Sequence, residues 1–299
     1  MSPCQMPTAK ELAEPERWDT AAEKYNDAVG RSSRFGADRL IAMADALQSL
    51  NAPSAHAIDL GAGTGSVTHL LADKYPSLPI LATDISPGML NQLMSIAKDP
   101  ATTKITTQVA DMAAPVGGAA SEGTFSHVIS TMAIQVLPDP AGEGTLAQWA
   151  RLLQPNGVVA IGIWDFDENC GPHALHWSGR ADLEGGLKKA GFNEVTSEVM
   201  HLGFDVGKEG FMQFFWESGN PMPKDRQSSF EGDLGKVKVE MERILDEVYD
   251  GGSKIPLSAA LAVGCWSNSR IVPTHYIQSS KLLSSPSMLE NNLLSTGLL

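Results

Sequence analysis

The stretch Ala57–Thr68, AIDLGAGTGSVT, constrains this chain more than any other. Ala57, Ile58 and Leu60 read as a short buried strand. The strand runs into a turn with glycines at Gly61, Gly63 and Gly65, and a helix opens at Ser66. Glycine tolerates positive φ and lets a second group come close to the backbone. A strand that passes directly into such a turn is how open α/β sheets build a ligand crevice at the carboxyl ends of their strands. The dinucleotide fingerprint is G-x-G-x-x-G, with a helix N-terminus facing a pyrophosphate. Here an acid comes first and the glycines stand at every second position, Asp59-x-Gly61-x-Gly63-x-Gly65. The bland alternative is a tight strand–helix turn that holds nothing.

Further strand–helix units follow in order. Leu78–Thr83 reads as a second strand ending at Asp84. Ser86 and Pro87 then give the N-cap and first position of a helix over Pro87–Ala97. A carboxylate at the tip of a second strand can accept from both hydroxyls of a ribose, so Asp84 points to a nucleoside. A third strand, Lys104–Val109, ends in Ala110-Asp111-Met112. A fourth, Phe125–Thr131, contains His127, read as a packed, hydrogen-bonded histidine. A helix over Thr145–Leu153, a turn at Gln154–Gly157 and a fifth, apolar strand at Val158–Asp165 complete the repeat. Ahead of the first strand the spacing predicts two helices, Pro15–Asn26 and Arg34–Leu50. After residue 166 it predicts a helix at Asp182–Ala190, a strand at Val195–Leu202, helices at Gly210–Ser218 and Leu234–Tyr249, and a seventh strand at Ile255–Val263.

Composition narrows the function classes. The chain has 299 residues, 42% hydrophobic and 19% charged, with a net charge of −13. So acidic a balance argues against nucleic acid or an anionic membrane surface as partner, since both need clustered Lys and Arg. No apolar run approaches the roughly 18 residues of a membrane span, and the N-terminus lacks the apolar stretch of a secretory signal. Cys4, Cys170 and Cys265 are too widely spaced for a disulfide framework or a zinc site, which predicts a cytoplasmic setting and no bound metal.

The glycine run with its leading acid resembles motif I of the class I S-adenosylmethionine-dependent methyltransferases. Asp84, the Asp111-Met112 pair, the Gln154-Pro155-Asn156-Gly157 turn and the Ala190-Gly191-Phe192 turn stand where that family has similar features. The Trp18-x(6)-Tyr25 spacing is similar to the N-terminal cap of the UbiE-like small-molecule branch, and inserted helices between strands six and seven are similar to the lid of fungal secondary-metabolism members. Ser126-His127 departs from the family's usual Phe-Asp start of strand four, and the loop after strand five is shorter than in many relatives.

The resemblance implies a Rossmann-like α/β fold. Its seven-stranded, mostly parallel sheet has helices on both faces, an N-terminal helical cap over 15–52 and a helical lid over about 207–253. The methyltransferase domain would span 15–266, with a loose tail at 1–14 and a disordered one at 267–299, where composition shifts to serine. The implied cofactor is S-adenosylmethionine. Asp59 and the Gly61-Ala62-Gly63 turn would meet its amino-acid end, and Asp84 the ribose. Asp111 and the Met112 N–H would meet the adenine, with Ile85, Met89, Thr131 and Tyr25 completing the pocket. The implied reaction is methyl transfer to an O, N or C nucleophile of a small organic molecule, a secondary metabolite among the candidates. No general base can be named. His173 and His176 follow strand five, but loop histidines are more often solvated. The alternatives are a methyltransferase-like protein with a non-methylating or regulatory role and, disfavoured by the glycine spacing, an NAD-dependent oxidoreductase.

Overall fold

In the computed structural model, the described residues are 14–97, 104–137, 144–165, 177, 179–202, 207–217, 227, 230, 232–248 and 258–267, the side chains of 23–32 and 214 excepted. A helix α1, Pro15–Leu47, precedes β1, Ala57–Leu60. Next come α2, Ser66–Lys74, β2, Ile80–Asp84, α3, Pro87–Ile96, β3, Ile105–Val109, and β4, Phe125–Thr131. A 3₁₀ turn, Ile134–Val136, leads on to α4, Thr145–Leu152, and β5, Leu153–Asp165. The order ends with α5, Arg180–Ala190, β6, Asn193–His201, α6, Gly207–Glu217, α7, Leu234–Val248, and β7, Ser258–Cys265.

The strands form one seven-stranded sheet in the order β3-β2-β1-β4-β5-β7-β6. Strands β1 to β5 are parallel, and β7 runs antiparallel between β5 and β6. The Rossmann-like expectation therefore holds. Chain order reverses at β1, which pairs with β2 on one side and β4 on the other. Such a switch point opens a crevice at the carboxyl ends of the strands.

Both faces of the sheet are covered. On one, Ala57 and Ala82 pack beneath Leu40, Ile41 and Ala44 of α1, Val67 and Leu71 of α2, and Leu93 of α3. On the other, Ile58, Leu60 and Val159 pack beneath Trp149 of α4 and Leu183 and Leu187 of α5. Burying both faces is what parallel strands require, and it explains why β1 and β5 read as apolar runs.

Three expectations need correction. The two N-terminal helices are a single one, α1, of 33 residues. No proline follows Pro15 until Pro53, and a mid-helix glycine such as Gly30 costs only about 1 kcal/mol, which packing offsets. Strand β5 starts at Leu153, so the stretch read as a turn at Gln154–Gly157 lies within it. Asn156 takes φ +64°, its N–H donates to the Trp266 carbonyl, and Trp266 N–H donates to the Gly157 carbonyl, so the ladder continues through the kink. Strand β6 likewise begins earlier, at Asn193, across a bulge at Glu194 with φ +51°.

Helices α6 and α7 lie between β6 and β7 in sequence. The Lys208–Asp246 ion pair, 2.6 Å, joins them, and Phe211 stacks on Phe215 at 6.2 Å. The segments read as tails, 1–14 and 267–299, lie outside the described residues except for Glu14 and Ser267.

Candidate functional site

Gly61 and Gly63 shape the floor of the crevice. Gly61 sits at φ +69°, and a Cβ there would stand 2.7 Å from Ala133 Cβ, so the β1 turn and the segment after β4 can meet only at a glycine. Gly63 also has positive φ, +54°, yet no protein atom lies within 4 Å of where its Cβ would be. Its backbone is open to a ligand. Ala62 N–H donates to the Thr83 carbonyl at 2.8 Å, fastening the turn to β2.

Asp84 stands at the tip of β2. Its Oδ2 accepts from Gly63 N–H at 2.8 Å and its Oδ1 from Ser86 N–H at 2.9 Å. Burial raises its pKa above the usual carboxylate range; the backbone donors of Ser86, Gly63 and Ile85 oppose that, and the charge of Asp19 adds to it. Ser86 is the N-cap expected for α3, its Oγ accepting from Met89 N–H at 3.0 Å. At the tip of β3, Asp111 Oδ1 accepts from Ala113 N–H at 2.8 Å, and the Met112 carbonyl accepts from the buried Trp149 indole N–H at 2.7 Å. That bond anchors the turn to α4.

These elements enclose a cleft of about 930 Å³, including space open to solvent. Of the residues read from sequence, Gly61, Ala62, Gly63, Asp84, Ile85 and Met89 line it, with Asp111, Met112 and Thr131. Asp59 does not. Its side chain shares a face with Ala57, toward α2, and is 1% exposed. Oδ2 accepts from Thr68 N–H at 3.1 Å and Thr68 Oγ1–H at 2.6 Å, while Oδ1 is buried without a partner. Burial pushes this carboxyl up to about 7, against the two Thr68 bonds and with the nearby Asp84 charge. The expected contact between Asp59 and a ligand's amino-acid end is therefore replaced by a bond into α2. The side chain of Tyr25 lies outside the described residues, as do His173 and His176.

Sequence reasoning missed part of the lining. Trp18 and Ser33 of α1 reach the cleft, as do Met132, Ala133, Val136 and Leu137 after β4. Trp18 had a signal in its spacing to Tyr25, and Met132, Ala133 and Val136 fall in the Thr131–Val136 stretch, where the resemblance puts the meeting of cofactor and substrate pockets; Leu137 had no signal beyond being apolar. Gln135 in that segment is 1% exposed, with Oε1 accepting from Trp164 N–H at 2.8 Å and a buried Nε2 that has no partner. His127 is a packing residue, as expected. It is fully buried, and burial lowers its pKa. Nε2 faces the Gln48 carbonyl at 2.9 Å and so carries the proton, leaving Nδ1 to accept from Ser126 Oγ at 2.7 Å.

Among the described residues the titratable groups lining the cleft are Asp84 and Asp111. No group of three or more His, Cys, Asp or Glu there could hold a metal, and no described helix is long and apolar enough to cross a membrane.

The methyltransferase domain family matches residues 57–157, from the start of β1 into β5. Similar curated proteins include a malonyl-[acyl-carrier protein] O-methyltransferase from Halorhodospira halophila, 28% identical over 62% of this chain and 59% of that protein. Another is a trans-aconitate 2-methyltransferase from Methylobacterium nodulans, 32% identical over half of each chain. This chain spans between 33% and 59% of the length of the curated relatives it matches. Among solved structures, the phosphoethanolamine N-methyltransferase 2 of Haemonchus contortus superposes with a TM-score of 0.56 at 16% identity, over 88% of this chain and 61% of that one. That structure holds phosphomonomethylethanolamine and S-adenosylhomocysteine.

Proposed function

We propose that this chain, a class I S-adenosylmethionine-dependent methyltransferase by family, transfers a methyl group to a nucleophilic atom of a small organic molecule. The observation that carries the reading is the arrangement of Gly63, Asp84 and Asp111. An open glycine backbone and two strand-tip carboxylates line one cleft.

The residues present suit S-adenosylmethionine. Asp84 is fixed by two backbone N–H groups and keeps lone pairs for the two ribose hydroxyls. Asp111 and the Met112 backbone, held by Trp149, would take the adenine edge, with Ile85, Met89 and Leu137 as apolar walls. The Gly61–Gly63 backbone would take the amino-acid end. Bound there, the cofactor supplies an electrophilic methyl on its sulfonium. The chain's own contribution is to hold donor and acceptor in line and exclude water, which is worth up to about 7–11 kcal/mol.

The acceptor class we favour is a carboxylate. An ionised carboxylate needs no proton removed, and Asp84 and Asp111, the titratable groups lining the cleft among the described residues, are both assigned to the cofactor. The names of the curated relatives support this, since malonyl-[acyl-carrier protein] and trans-aconitate are both acidic acceptors. The acidic chain makes nucleic acid a poor acceptor. The test is calorimetric S-adenosylmethionine binding followed by labelled-methyl transfer to a panel of carboxylates, phenols and amines. Micromolar binding with transfer to carboxylates is the expected result. Absence of binding by the folded protein would overturn the cofactor reading, and transfer confined to phenols or amines would overturn the acceptor class.

A further inference from the structure

Helix α1 is anchored very differently at its two ends. Toward its C-terminus, Ala37, Leu40, Ile41 and Ala44 are fully buried in the main core. Toward its N-terminus, Trp18, Ala21 and Ala22 meet Met89 of α3 in a small separate apolar cluster. Beside that cluster stands Asp19. Its Oδ1 accepts from Ser86 Oγ–H at 2.5 Å and from Gly88 N–H at 2.7 Å, both at the start of α3. A carboxylate at a helix N-terminus satisfies an orphan donor and complements the helix dipole.

The contact does more than cap α3. Ser86 N–H donates to Asp84 Oδ1, and Gly63 N–H donates to Asp84 Oδ2. One hydrogen-bonded path therefore runs from α1 through Asp19, Ser86 and Asp84 to the glycine turn. Its two ends, Trp18 beside Asp19 and Gly63, both line the cleft. Gly88 makes the close approach possible, because a Cβ there would stand 2.6 Å from Asp19 Oδ1 and 3.1 Å from Asp19 Cα. Gly88 does not take positive φ, so the glycine answers to Asp19 and not to a turn.

We infer that Asp19 is a positioning residue for the cofactor. It latches the first turns of α1 across the α3 N-terminus, which sets Trp18 as a wall of the cleft and, through Ser86, aims the Asp84 carboxylate. The inference rests on the proposed S-adenosylmethionine site. It adds a residue outside the cleft lining, 67 positions from the serine it binds.

The experiment compares full-length wild type with Asp19→Ala, Asp19→Asn and Gly88→Ala. S-adenosylmethionine Kd and Tm are measured for each, with hydrogen exchange of the amides of residues 16–22. Asp19→Ala is expected to weaken binding about tenfold, the loss of one or two charge-assisted hydrogen bonds. Asp19→Asn should recover most of the affinity, because its amide oxygen can accept the same two bonds. Gly88→Ala should weaken binding like Asp19→Ala although alanine is the better helix former. Cofactor should slow exchange at 16–22 in wild type and much less in Asp19→Ala.

Affinities of Asp19→Ala and Gly88→Ala within twofold of wild type would overturn the inference and leave the cofactor site standing. So would an Asp19→Asn protein as weak as Asp19→Ala, which would assign the effect to charge alone. If Asp19→Ala fails to fold, Gly88→Ala carries the test. Failure of wild type itself to bind would overturn the functional reading, and this inference with it.

Discussion

Asp59 and Asp84 stand at the ends of neighbouring strands, and each accepts two hydrogen bonds, yet they face opposite surroundings. Asp84 takes both bonds from backbone N–H groups of the crevice, Gly63 and Ser86, and its remaining lone pairs lie on the cleft. Asp59 takes both from one residue of α2, Thr68, and its second oxygen ends in the core. The lesson is that an acid in a ligand motif can serve the scaffold. What decides is which group answers it, a loop backbone that a ligand can share or a helix that fills the space.

Substitutions can break or sharpen that contrast. The largest effect is expected at the cleft. Asp84→Ala should weaken S-adenosylmethionine binding on the order of 100-fold, since it removes an acceptor of hydroxyl protons and frees the Gly63 turn. Calorimetry checks this, and a loss under threefold would erase the distinction between the two acids. Asp59→Ala should instead act on stability, costing about 2 kcal/mol in denaturant titrations by orphaning Thr68 N–H and Oγ1–H in the core. If it cost more affinity than Asp84→Ala, the contrast would be inverted.

A third prediction concerns pH. The folded Asp59 carboxyl sits at about 7, above its ordinary value of 3.8, so the folded state holds its proton more tightly than the unfolded chain. The stability from this group is fully present below about pH 4 and is lost as pH rises toward 7. Asp59→Asn removes that dependence. Relative to wild type, the variant should gain about 2–3 kcal/mol on going from pH 4.5 to pH 8, as read by denaturation at both values. A pH-independent difference would show that burial of Asp59 does not govern its ionisation. The smallest effect is expected at the support of β3. Trp149→Phe deletes the N–H that holds the Met112 carbonyl and should cost about 1 kcal/mol, with affinity falling only a few-fold.

Much of the cleft was legible because its signals are local. The glycine turn, Asp84 with the Ser86-Pro87 start of α3, and Asp111-Met112 each sit within a few residues of a strand end, and all line one cavity. The inward turn of Asp59 was also present in the pattern. Ile58 and Leu60 bury on one face of β1, so parity puts Asp59 on the other, under α2. What lay beyond reach depends on pairs far apart in sequence. The Trp149 bond to Met112 spans 37 residues, and the Asp19 bond to Ser86 spans 67. The length of α1 was misread for the same reason, since the contacts that hold it together come from α2, α3, β5 and β7.

A helix of 33 residues is a rod about 50 Å long. Leu40, Ile41 and Ala44 are its fulcrum, sunk in the sheet's cover. Trp18 is the tip of the long arm, and at the pivot itself Arg39 grips Glu198 of β6 through two bonds of 2.6 and 2.7 Å. Leverage then runs outward from the pivot. A small tilt at the pivot becomes a large swing at the tryptophan, so whatever steadies Glu198 on the outermost strand also steadies the far wall of the cleft.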